Sequence, residues 1–290
     1  MIRSLSVCAI VLALLWMPQV QDTSRKAPPA VDTVRVQANT SEATKHDSLV
    51  TTTHMFSSPL APLRVVPNNA WGLGEELTFA VRYGMVSAGS AKMAVRDTVR
   101  VAGRLCYHIY TQAQSNRAFS SIYEVRDVAE SFVDVQGLFP WRFEKHLREG
   151  KYRAHKLTTY DQHRNLAITG KDTLRVPPFV QDVISMVYFL RTQDFKVGDT
   201  LSVANHADRK VYDLRVAVQR RERVRVSAGV FDCLVVEPFL RDGGGVFKGG
   251  GRMQLWISDD RARLPVQLKS KVVVGTVTIE LERAKGVKRA

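Results

Sequence analysis

Few side chains in this 290-residue chain stand at a spacing that chemistry requires. Seven histidines are present, yet no HExxH or CxxC gathers a metal's ligands on one element. His46 and His54 fall in a low-complexity stretch. His108, His146, His155 and His163 fall on strand-like segments, where only strand pairing could bring ligands together. No metal and no cofactor are therefore expected. Ser120, Ser121 and Ser258 lack the Gly-x-Ser-x-Gly turn that exposes a nucleophilic hydroxyl. Glu144 with Glu149, or Asp259 with Asp260, could pose as an acid–base pair. "SDDRARLP" is more simply a turn between two strands, because Asp favours turn positions. The run "GGGVFKGGG", residues 243–251, departs from GxxxxGK[ST]: no Ser or Thr follows Lys248, and strands flank it. It reads as a hairpin loop rather than a phosphate cradle. Arg221, Arg223 and Arg225 alternate with Val224 and Val226. They lack the interleaved aromatics on which single-stranded nucleic acid stacks, so a solvated strand face is expected and no nucleic-acid partner. No residue is assigned to catalysis, and the expected class is a non-enzyme.

The elements that would hold any site are strands almost throughout. In "ELTFAVRYG", Leu77, Phe79, Val81 and Tyr83 face one way and Thr78, Ala80 and Arg82 the other. The same two-residue period recurs in "SAKMAVRDTVRV", "LCYHIYTQA", "WRFEKHL", "YRAHKLTTY", "YDLRVAVQ", "RMQLWIS", "LPVQLKS" and "VTIEL". Short Gly and Asp/Asn breaks between them favour consecutive hairpins over parallel crossovers. The expected architecture is a mainly β fold: one curved antiparallel sheet or half-barrel of roughly a dozen strands. One segment departs from it. "VPPFVQDVISMVYFLRTQDF" carries Val183, Val187 and Leu190 at helical spacing, with Ile184 and Tyr188 beside them. This predicts an apolar helix over about 179–192, opened by Pro177–Pro178 and lying in or over the concave face. Asp182 falls in its first turn, where a carboxylate accepts amide hydrogen bonds and suits the helix dipole.

At the N-terminus, Arg3 precedes an apolar run from Leu5 to Met17 that ends at Pro18. The run suits a signal peptide over residues 1–21 and is too short for a membrane span. Residues 22–67 are poor in large apolar groups and read as a disordered linker. The β domain is expected over 68–285, with a tail at 286–290. The net charge of +14 biases encounters towards anionic partners, although scattered bases also serve solubility. Cys106 and Cys233 remain in the mature chain, and export to an oxidising compartment permits a bridge between them without establishing one.

Five segments, taken in order, resemble one exported bacterial family: "GEELTFAVRYGMVSAGSA" (74–91), "VDVQGLFPWRF" (133–143), "PPFVQDVISMVYFLR" (177–191), "VSAGVFDCLVVEP" (226–238) and "LWISDDRARLPV" (255–266). The family is the domain of unknown function numbered 3108. The resemblance implies an antiparallel half-barrel with an inserted helix, similar to outer-membrane lipoprotein carriers and to capsule-associated exported proteins. It implies no established reaction.

The reading these features favour is an exported periplasmic or cell-envelope protein, peripheral at most to a membrane. It would carry an amphiphilic or anionic ligand, such as a lipid or lipid-linked glycan, in its concave face. The alternative is an envelope assembly factor that recognises protein or polysaccharide by its surface, and a hydrolase is a third reading without a motif. A carrier's cleft would be walled by Trp141, Phe143 and Trp256 from the sheet and by Ile184, Val187 and Tyr188 from the helix. Asp182 would serve as a polar anchor and Lys248 would lie near a head group. The helix either seals the hollow or stands off it as a lid, and core packing favours the sealed form.

Overall fold

A computed structural model describes residues 63–240, 252–271 and 275–288. The first eight strands are β1 (Glu76–Tyr83), β2 (Val86–Val101), β3 (Arg104–Ser115), β4 (Arg126–Asp134), β5 (Pro140–Glu149), β6 (Tyr152–Asp161), β7 (Leu166–Thr169) and β8 (Asp172–Arg175). A further six follow: β9 (Thr200–Ala207), β10 (Lys210–Val226), β11 (Gly229–Leu240), β12 (Met253–Ser258), β13 (Pro265–Lys271) and β14 (Thr276–Lys285). Among the described residues these fourteen strands form one antiparallel sheet, in the order β8 to β1 and then β14 to β9. Two meanders are thus joined where β1 pairs with β14. Two short helices accompany the sheet, α1 (Arg117–Ser120) and α2 (Val183–Leu190). The mainly β, single-sheet reading holds, with α2 shorter at both ends than the periodicity implied.

Alternation produces the sheet as expected in β1, where Leu77, Phe79 and Val81 are buried. The opposite face stays partly exposed, which suits an antiparallel strand with one face on the core. In β11 the alternation fails, because Cys233, Leu234, Val235 and Val236 are all buried. The tip of the β10–β11 hairpin reaches back to β14, where the Ala228 amide donates to the Leu281 carbonyl. Gly89 permits a close approach of β2 to β3, since a Cβ there would stand 2.0 Å from the Gln114 carbonyl oxygen.

The sheet curls until its two ends meet through side chains. Asp208, in the β9–β10 turn, takes Lys145 of β5 and Lys156 of β6, both at 3.0 Å. Tyr160 of β6 meets His206 of β9 at 3.1 Å, and Arg209 pairs with Asp172 of β8 at 2.8 Å. Burial pushes His206 down to about 4, while the two lysines hold Asp208 below the usual carboxylate range against the effect of its own burial. Residues 63–67, expected in the linker, pack on this body. Arg64 donates to the Gly137 and Leu138 carbonyls and lies over the rings of Phe179 and Phe189. Cys106 and Cys233 are free and buried, and they sit in separate apolar clusters. No bridge joins them. The apolar run at 5–17 and residues 22–62 lie outside the described residues, and among those described no helix is long and apolar enough to cross a membrane.

Candidate functional site

The chain between β8 and β9 crosses the inner face of the sheet, and α2 lies within it. Its N-terminus is fixed by Asp182, whose Oδ1 accepts from the Ile184 and Ser185 amides at 2.7 and 2.9 Å. Ser131 of β4 donates to the other carboxylate oxygen at 2.6 Å, and the Asp182 amide donates to the Ser185 hydroxyl. This is a capping box, and it explains why a charged residue stands in so apolar a segment. Complete burial raises the Asp182 carboxyl to about 6, with the hydrogen bonds opposing that rise. Just upstream, Gln181 forms a parallel bridge with Asn205 on the outer edge of β9.

The C-terminal end is fixed as firmly. Arg191 grips Glu75 through two hydrogen bonds of 2.7 Å, with both side chains at most 1% exposed. The same guanidinium donates to the Ala262 carbonyl at 3.0 and 3.2 Å. Trp71 donates its indole N–H to the Tyr188 carbonyl at 2.9 Å and packs edge-on against the Tyr188 ring. A helix bolted at both ends is a wall rather than a lid.

Beside that wall run two adjoining apolar slots of about 60 and 40 Å³. The first lies between Val183, Ile184 and Val187 on α2 and Phe79, Met93, Leu268 and Ile279 on the sheet. The second lies between Met186, Val187 and Leu190 on α2 and Leu201, Leu214 and Val236. Val187, Leu255 and Pro265 line both slots and are only half-buried, so the slots meet where they open to solvent. Polar groups stand at the margins. Thr111 and Gln267 border one end, and each already donates a hydrogen bond, to the Ala129 carbonyl and to Glu280. Arg191 and Arg263 border the other; Arg263 contacts Asp259 at 3.3 Å and lies over the Phe195 ring. Such a lining offers shape and dispersion contacts rather than proton transfer.

Of the residues named from sequence, Ile184 and Val187 line the slots. Tyr188 lines neither slot and packs against Trp71 and Arg191. Asp182 is spent on the helix cap. Phe143 is in the main core without reaching either slot. Trp141 is removed by a bulge: Val133 pairs Pro140 while Phe132 pairs Arg142, leaving Trp141 as the extra residue. Its ring joins Cys106 and Phe139 in a separate cluster and donates to Asp134 at 3.0 Å. Trp256 neighbours Leu255 on β12, so alternation turns it away from the slots, and the Lys269 ammonium lies 5.1 Å from its ring. Lys248 lies outside the described residues.

The sheet residues of the groove were missed because membership depends on which inner-face side chains lie beside Val187, and only strand order reveals that. A second cluster was missed on the outer face. There Glu144, His146 and His155 come together across the β5–β6 hairpin. Its signal was present in the sequence, since a two-residue turn at Gly150–Lys151 places His146 opposite His155.

No curated protein matches the chain. Among solved structures, a β-barrel-like protein of domain of unknown function 1849 from Brucella abortus is similar over 78% of this chain and 99% of its own, at 10% identity and a TM-score of 0.48. A Bacteroides fragilis protein with a YmcC-like fold, described as exported, covers 77% of this chain and 100% of its own, at 14% identity and a TM-score of 0.34. The hypothetical protein CT021 of Chlamydia trachomatis covers 75% and 90%, at 7% identity and a TM-score of 0.34. The family model described as "Protein of unknown function (DUF3108)" matches residues 78–282. The chain therefore belongs to the DUF3108 family.

Proposed function

We propose that this protein is an exported, non-catalytic binder of an envelope amphiphile, whose acyl chain lies in the groove alongside α2. The observation that carries the reading is the pair of apolar slots meeting at the half-exposed Val187, Leu255 and Pro265. A chain running beside the helix needs no opening beneath it, which suits a helix held at both ends. The slots accept only a few methylenes as they stand. A longer chain must displace Val187 and Leu255, which are only half-buried. Burial of six methylenes supplies about 5 kcal/mol, at about 0.8 kcal/mol each. That corresponds to a dissociation constant no tighter than about 0.3 mM before any head-group contact. Arg263, at the margin of the second slot with its side chain 14% exposed, would meet an anionic head group on this reading. Export is supported by the apolar N-terminal run.

The test is titration with a fluorescent fatty acyl probe of wild type and Val187→Trp, with circular dichroism to verify folding. Saturable binding by wild type, lost in a folded Val187→Trp protein, is expected. Absence of saturable binding to wild type refutes the reading, and surface recognition of protein or polysaccharide then takes its place.

A further inference from the structure

The β5–β6 hairpin carries a second arrangement, on the face of the sheet opposite to α2. Its two-residue turn sets the register Glu149↔Tyr152, which places His146 directly across from His155. Glu144 precedes His146 by two residues and so shares its face. The two imidazole rings stack with centroids 4.1 Å apart and planes 11° from parallel. Their Nε2 atoms both point at one carboxylate oxygen, Glu144 Oε1, at 3.1 and 2.8 Å. Each residue of this trio offers a ligand atom, and all three lie within 4.8 Å of one another.

We infer that Glu144, His146 and His155 form a binding site for a borderline divalent transition ion, zinc or copper. Two neutral imidazole nitrogens and one carboxylate oxygen are the donor types such ions prefer. Tetrahedral zinc with bonds near 2.0–2.1 Å separates its ligand atoms by about 3.3 Å. The observed separations from Oε1 are therefore close to what the ion requires. The metal takes the place of the hydrogen bonds that the two Nε2 atoms now make with Oε1. Arg142 donates to the other oxygen, Oε2, and so holds the carboxylate in orientation while leaving Oε1 free for the ion. The histidine side chains are 51% and 57% exposed, so the ion enters without opening the fold.

The surroundings set a condition on the site. Arg126, Arg148 and Arg153 line the same open cleft, of about 530 Å³, as the two histidines. One carboxylate does not offset a dication among these guanidiniums. Three protein ligands leave a coordination position open. The basic cleft selects an anion, such as chloride, phosphate or carboxylate, to fill it.

The experiment is isothermal titration of tag-free full-length protein with zinc chloride and, separately, copper chloride. Expected is one ion per chain with micromolar affinity. His155→Ala should weaken it at least tenfold, whereas His163→Ala, an exposed histidine outside the trio, should leave it unchanged. Copper bound to wild type should show two-nitrogen hyperfine structure in its paramagnetic resonance spectrum, reduced to one in His155→Ala. Circular dichroism verifies that both variants fold. Absence of saturable binding below about 1 mM, or equal affinity in His155→Ala and wild type, overturns the inference.

Discussion

The ion pair between Arg191 and Glu75 holds the C-terminal end of α2, and it is the contact whose loss is most readily quantified. Both side chains are out of contact with water, and two hydrogen bonds of 2.7 Å join them. Arg191→Met leaves the Glu75 carboxylate buried without a counter-charge, which destabilises by about 3–5 kcal/mol. It also removes the donors to the Ala262 carbonyl, adding about 1–3 kcal/mol if that oxygen stays dry. Glu75→Gln keeps the carbonyl satisfied and leaves only the unpaired guanidinium, so its loss should fall at the lower end. The double variant Glu75→Leu with Arg191→Met buries no charge. It should recover most of the loss and stay below wild type by the carbonyl's share, about 1–3 kcal/mol. Urea denaturation followed by tryptophan fluorescence gives all four values, with Trp71 reporting beside Tyr188. In thermal terms Glu75→Gln should lose about 6–12 °C and Arg191→Met about 8–32 °C, at about 2–4 °C per kcal/mol for a domain of this size. Losses under about 1 kcal/mol in both single variants would mean that water reaches the pair. The description of α2 as bolted at this end would then be wrong.

Two further outcomes follow from the seam and from the N-terminal boundary. His206 is held neutral down to about 4, against about 6.5 in the unfolded chain, so the folded state binds fewer protons in that window and stability is lost as pH falls across it. Asp182, raised to about 6, acts in the opposite sense, so the measurement is a difference: the gap between wild type and His206→Asn should change by about 3 kcal/mol from pH 7 to pH 4. A gap independent of pH refutes the assignment. A chain starting at residue 68 should melt at least about 4 °C below one starting at 63, because it lacks the Arg64 contacts with Gly137, Phe179 and Phe189; equal melting temperatures refute this.

Where one residue's environment follows from its immediate neighbours, the sequence was sufficient. Alternation placed Leu77, Phe79 and Val81 inward, and the first-turn position of Asp182 foretold a cap. Other features depended on how strands pair. The bulge at Trp141 changes which face that residue occupies, and no turn residue announces it. β11 is buried on both faces over Cys233–Val236, which makes its interior look like a parallel strand's. The outer trio requires register, which the hairpin at Gly150–Lys151 does fix. That turn was readable, and counting outward from it would have brought His146 and His155 together. The inner groove had no such shortcut, because it draws on strands that are far apart in sequence and adjacent only in the sheet.

The way the sheet ends explains why a groove persists in so well packed an interior. A fully hydrogen-bonded barrel satisfies every edge and has no boundary at which a helix must enter. Here the two edges are managed separately. β8 is four residues long, bears Asp172 and Arg175, and is mostly exposed, which blunts it against further pairing. β9 is covered by the Gln181 bridge, so the chain entering α2 also protects that edge. Side chains rather than a ladder close the remaining gap, through Lys145, Lys156 and Asp208 and through Tyr160 and His206. The helix consequently fills space that sheet curvature alone leaves open. An eight-residue rod cannot match a curved wall along its whole length. The mismatch falls beside Val187, where apolar side chains on both walls are left partly in contact with water.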